Sequence, residues 1–166
     1  MTDPIKVGAR AAAAADVPVL VALDAEGAAG IVGVRGGHLE AQLHGRRDDV
    51  AAGFAADLEA DDTIVLVGTI DDVVVGHLVA TRHELPDGSR ISTVRDLFVQ
   101  TGARGVGVGE QLLAAAVADA TAHGCAGIDA RALPGDRATK NFFESFGLVA
   151  RSISCLLYTS PSPRDS

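Results

Sequence analysis

The middle third of the chain admits few folds. Ile64 to Ile70 (IVLVGTI), Val73 to His83 (VVVGHLVATRH) and Arg90 to Val99 (RISTVRDLFV) are rich in β-branched residues, as strands are. Asp71-Asp72 separates the first two runs, and Pro86-Asp87-Gly88 signals a turn before the third. Connections this short cannot carry a crossover. The three runs are therefore expected to form an antiparallel meander.

Helical periods lie on both sides of it. Residues 5–10 (IKVGAR) read as a first short strand. Asp16 stands before Val17-Pro18, with apolar Leu20, Val21 and Leu23 following, which suits a helix opened by an Asp N-cap and an early Pro. Gly37 to His44 brings Leu39 and Leu43 one turn apart, and Asp49 to Glu59 lines up Val50, Phe54 and Leu58 as one stripe. After the meander, Leu112, Leu113, Ala116, Val117 and Ala120 form a helix face that Gly124 ends. Cys125 to Leu133 predicts a fifth strand, Arg137 to Phe146 a last helix closed by Gly147, and Leu148 to Ser154 the start of another strand. The expected fold class is α/β of the α+β kind: one domain, its central, mostly antiparallel twisted sheet flanked by helices. A length of 166 residues suits one domain.

Charge narrows the partners. Lys and Arg number 14 against 22 Asp and Glu, a net charge of −8, which repels phosphate backbones and argues against a nucleic-acid partner. The same surface attracts cations. The longest apolar stretch, Val17 to Leu23, falls far short of the ~20 residues that span a bilayer, so no membrane partner is expected. Two cysteines make no disulfide framework, five histidines show no zinc spacing, and MTDPIKVGAR has no basic region leading into an apolar one. A cytoplasmic protein without a metal is expected.

The chemistry centres on the segment from Val99 through Arg104-Gly105-Val106-Gly107-Val108-Gly109-Glu110. A strand ends, a short loop turns, and a helix starts on glycines. Glycine permits positive φ and close approach of a ligand, while free N–H groups at a helix start, aided by its dipole, suit a phosphate or diphosphate. A P-loop would need a Lys after the glycines, and GxGxxG would need Gly where Glu110 stands. Asp129 does lie about where a ribose-binding acid belongs, but the preceding strand closes a meander rather than opening a βαβ unit.

A third arrangement fits. Arg104-x-x-Gly107-x-Gly109 resembles motif A (Q/R-x-x-G-x-G/A) of the GCN5-related N-acetyltransferases. The opening Arg10-Ala-Ala-Ala-Ala-Ala-Asp16-Val-Pro18, the strand end Leu97-Phe98-Val99 and the closing Asn141-Phe-Phe143-Glu-Ser-Phe-Gly147-Leu also resemble that family's segments, in its order. The resemblance covers about residues 5–154. It implies an enzyme that moves an acetyl group from acetyl-CoA, its co-substrate, to a primary amine of a small molecule or peptide. The diphosphate would sit on the amides of Gly105 to Glu110, with Arg104 at the motif's first position. The coenzyme's arm would pair with Leu97, Phe98 and Val99, the Val99 amide facing the thioester oxygen. Asp136 would stand where the family often has an Asn beside that arm, though a helix N-cap is at least as good a reading of it. A homodimer is allowed for.

A lysine-like amine is protonated at pH 7, and freeing it costs about 4.6 kcal/mol, against about 1.4 kcal/mol for an α-amine. Asp96 is the candidate base; His77 or His83 could act through water. The ordinary alternatives are a strand polar group for Asp96 and solvent-facing positions for the histidines. The family's usual acid, a Tyr, aligns with Phe143, which keeps a second reading open: an acyl-CoA-binding module without catalysis. A nucleotide-dependent oxidoreductase is a third. Residues 155–166 (CLLYTSPSPRDS) resemble a translated sequencing adapter joined to a gene cut before its last strand. The domain is therefore expected over 1–154, with 155–166 a non-native tail.

Overall fold

Asp71 and Asp72 both hold positive φ, 48° and 66°. These are the dihedral signs of the tight turn whose twist suits a hairpin, and Asp tolerates them better than most side chains. They join β2 (Thr63–Ile70) to β3 (Val73–Glu84), and a turn closed by Gly88 at φ 85° leads to β4 (Arg90–Val99). The meander expected from sequence is present. The computed structural model describes residues 3–160. Its described residues group into two compact units: Arg47–Arg131 with the chain up to Gly27, and Ala28–Arg46 with the chain from Ala132.

The first unit carries the sheet, in the order β1-β2-β3-β4-β5, with β1 at Val7–Ala11 and β5 at Gly127–Asp129. The first four strands run antiparallel, and β5 lies parallel to β4. One face is covered by α1 (Val17–Ile31), which begins in this unit, and α3 (Val50–Glu59): Leu20 and Phe54 pack with Val65, Val67 and Val79 as a fully buried cluster. The opposite face receives α4 (Val108–Ala122), whose Leu112, Leu113 and Ala116 are wholly buried. The second unit holds α2 (Gly37–His44) and α5 (Arg137–Phe146), where Phe142 and Phe143 pack at 5.7 Å between ring centroids. The whole is a mixed α/β fold with five strands and five α-helices among the described residues.

Three sequence expectations need correction. The fifth strand is three residues long, not Cys125 to Leu133, because its ladder reaches only Ile91 to Thr93. Leu148 to Ser154 forms no strand; a strand exists only by pairing, no ladder reaches it among the described residues, and Val149 and Ile153 are 86% and 85% exposed. Asp16 does not cap α1 directly. It closes a 3₁₀ turn (Ala14–Asp16) that runs into the helix, its carboxylate accepting from the Ala13 N–H at 2.8 Å. Of the tail expected to be foreign, 155–160 carries no helix or strand, and 161–166 lies outside the described residues.

The spacing of Arg10 and Asp16 now has a physical reason. Both guanidinium Nη atoms donate to the Asp16 carboxylate, at 2.8 and 3.0 Å, tying β1 to the start of α1. The Arg10 hydrogen bonds, with the Ala13 N–H, hold the Asp16 carboxyl below its usual range. A lowered carboxyl contributes stability above its unfolded pKa of about 3.9 and loses it as pH falls further, through the folded value. Asp16→Ala is expected to cost about 1–2 kcal/mol in urea unfolding at pH 7, given that Arg10 is half exposed, and the difference from the parent should shrink below about pH 4.

Candidate active site

The end of β4 offers backbone groups that no strand takes. Gln100 donates its N–H to the Val75 carbonyl at 2.9 Å, so in the alternating antiparallel ladder His77 and Phe98 form a hydrogen-bonded pair. Val99 opposite Gly76, and Leu97 opposite Leu78, are the non-bonded pairs between, and their N–H and C=O groups point away from β3. On that outer side β5 accompanies β4 only as far as Thr93.

The chain then makes a 3₁₀ turn (Thr101–Ala103) and passes Arg104 into two left-handed glycines, Gly105 at φ 84° and Gly107 at φ 100°. A Cβ added at either would meet nothing within 4 Å. The positive φ is therefore what asks for glycine, and the space above the loop is open. Gly107 caps α4 without any side-chain cap. In an α-helix the first N–H groups, here Val108, Gly109 and Glu110, have no partner within the helix. The start of α4 is fixed by its fit to β2: a Cβ at Gly68 would stand 2.5 Å from Val108 Cγ1 and 3.1 Å from Leu112.

Around this cradle the side chains are tied down. Arg104 donates Nε–H to the Val99 carbonyl at 2.9 Å and lays its guanidinium over the Phe98 ring, 5.7 Å from the centroid. Phe98 lies against Gly27 of α1, where a Cβ would come within 3.1 Å of the ring. Gln100 donates to Glu26 at 3.1 Å. Asp96 owes its side of the sheet to a β-bulge: Val79 opposes Asp96 but Ala80 opposes Val94, leaving Arg95 as the extra residue. Asp96 thus shares the α1 and α3 face with Val79, His77 and Phe98, while Val94, two residues earlier, faces α4. Arg95 holds the bulge by donating to Asp57 of α3 at 3.0 Å and to Thr81 at 3.2 Å.

Asp96, Leu97, Phe98, Val99, Arg104, Gly105, Val106, Gly107, Val108, Gly109 and Glu110 thus all belong to β4's end and the turn into α4 in the first unit. His77 corrects one expectation. It is 2% exposed, edge-on to the Phe54 ring at 5.8 Å, because α3 covers its face of β3, whereas His83 farther along is exposed. Asp136, in the second unit, caps α5 by accepting from the Thr139 N–H at 3.2 Å and from its hydroxyl at 2.7 Å. Among the described residues no cluster of His, Cys, Asp or Glu could hold a metal ion, and no helix is long and apolar enough to cross a membrane. Sequence reasoning missed the Arg104 and Glu26 contacts and the bulge; the spacing carries no signal for them.

The acetyltransferase (GNAT) family model matches residues 36–148. No curated protein matches the sequence. Solved structures share the fold. The aminoglycoside N-acetyltransferase AAC(6')-Iy in complex with CoA is 19% identical over 98% of this chain and 99% of its own, with a TM-score of 0.72. An aminoglycoside acetyltransferase from an uncultured soil metagenomic sample is 19% identical, over 95% and 97%, at TM-score 0.65. A transcriptional regulator from Bacillus halodurans C-125 is 20% identical, over 92% and 99%, at TM-score 0.70. The chain belongs to the GNAT acetyltransferase family, and its class is N-acetyltransferase.

Gly107→Ala places a Cβ in the left-handed region without filling the open space. It is expected to lower stability by about 1–2 kcal/mol, read as a shift in the urea midpoint at unchanged slope.

Proposed function

We propose that the chain moves the acetyl group of acetyl-CoA directly to a primary amine of a small molecule or peptide. One observation carries this reading: two sets of unclaimed backbone donors, at the outer edge of β4 and at the start of α4, are joined by a single short loop. The open space over Gly105 and Gly107 leaves room for a diphosphate against the second set. The net charge of −8 and the aminoglycoside acetyltransferases among the similar structures support a cationic small-molecule acceptor.

Acetyl-CoA would supply the acetyl thioester. The amides of Gly105 to Glu110 would hold its diphosphate, and the edge formed by Leu97, Phe98 and Val99 would pair with its extended arm. The Val99 N–H is the donor for the thioester oxygen as negative charge develops there. Asp96 takes the proton that the acceptor ammonium must lose before it attacks. Phe143 has no proton to give, so the leaving thiolate is protonated by solvent. Asp136 joins the coenzyme set on the family resemblance alone. Its carboxylate already serves Thr139, so its removal is expected to act first on α5. This reading takes 1–154 as the acetyltransferase domain and 155–166 as foreign to it, allows for a homodimer, and places the protein in the cytoplasm, in keeping with the free thiol of Cys125. Phe143 also favours a second reading, an acyl-CoA-binding module that does not turn over.

Acetyl-CoA at a hundredfold excess over its Kd should stabilise the chain by about 2.7 kcal/mol in a thermal shift, and NAD should not. Gly107→Glu, compared with Gly107→Ala to remove the backbone effect, should abolish that shift. Unchanged coenzyme binding in Gly107→Glu would sink the reading. Asp96→Asn is expected to lower kcat/KM for a lysine-like amine at pH 7 by about 10²–10⁴-fold, with the loss narrowing as pH approaches the amine's pKa of about 10.4. Binding without transfer of labelled acetyl to any of a panel of amines would favour the non-catalytic module.

A further inference from the structure

We infer that Arg104 is a positioning residue that couples the diphosphate cradle to the acetyl-transfer end of β4. The inference rests on the coenzyme reading above and goes beyond it, since that reading gives Arg104 only a place in the motif. Three observations carry it. The Val99 carbonyl points away from β3 and has no neighbouring strand, because β5 stops pairing at Thr93. Arg104 Nε–H supplies what the strand does not, at 2.9 Å. The Phe98 ring, itself wedged against Gly27, supports the guanidinium plane at 5.7 Å. The guanidinium is thereby oriented by one hydrogen bond and one ring face.

Its two Nη groups remain as a second set of donors on the same rigid plane. From Leu97 to Leu113 Arg104 is the only cationic side chain, and Glu110 supplies the only formal negative charge. A diphosphate on the amides of Gly105 to Glu110 therefore draws on this one guanidinium from the segment that holds it. A planar fork can serve the diphosphate through Nη while Nε keeps the Val99 carbonyl in place. Filling the cradle thus stiffens the residue whose N–H faces the reacting oxygen. Lysine carries the same charge but offers a single ammonium without a fixed plane, so it can reach one partner at a time.

The test uses the full chain, isotopically labelled for amide NMR, and two probes: ADP, which has the diphosphate but no arm to lie along β4, and acetyl-CoA. ADP should move the Val99 amide resonance in the parent protein. In Arg104→Lys the ADP affinity should stay within about threefold while the Val99 response is lost. Turnover should split the same way, kcat falling about tenfold with KM for acetyl-CoA within about threefold, and Arg104→Ala should lose both binding and rate. A Val99 resonance that ignores ADP in the parent, or follows it equally in Arg104→Lys, overturns the coupling alone. Failure of the parent to bind either probe overturns the coenzyme reading, and this inference with it.

Discussion

The structure turns on a sheet edge that is left open partway along a strand. β4 is paired on its inner side along its length, save for the bulge at Arg95, but on its outer side only from Arg90 to Thr93. Backbone donors and acceptors removed from water need partners. Past Thr93 the outward groups of Leu97 and Val99 meet side chain, solvent or ligand instead of strand. Arg104 takes the Val99 carbonyl, while the N–H groups of that edge have no strand to donate to among the described residues. An all-paired sheet would have no such place.

The cradle next to it is the helical counterpart of the same shortage. The first N–H groups of α4 have no turn before them, and Gly107 provides no side chain to cap them. In an acidic chain this matters, because free N–H groups at a helix start and the helix dipole favour an anion without a cluster of basic side chains. It is held in place from below. Gly68 lets Val108 and Leu112 sit directly on β2, so the buried face of α4 fixes where its open end points.

On the other face, a single extra residue decides which side of the sheet a carboxylate occupies. Without the bulge at Arg95, Asp96 would continue the alternation of Val94 and face α4. With it, Asp96 joins His77 and Phe98 beneath α1 and α3. The ion pair of Arg95 with Asp57 ties that irregularity to α3, so the carboxylate's side of the sheet is set by a contact between segments 38 residues apart.

Local order was legible in the sequence because it rests on local causes. The β-branched runs, the Asp71-Asp72 turn, the helical stripes and the Gly105 and Gly107 conformations follow from propensities and sterics within a few residues, and they recur in the structure at nearly the expected bounds. The family resemblance added the order of these pieces, which the match over residues 36–148 bears out. Tertiary structure alone decided where β5 stops, that Leu148 to Ser154 forms no strand among the described residues, that His77 is covered, which way Asp96 faces and what Arg104 holds. Each of these depends on a partner distant in the chain, and neither residue type nor spacing encodes which partner will arrive.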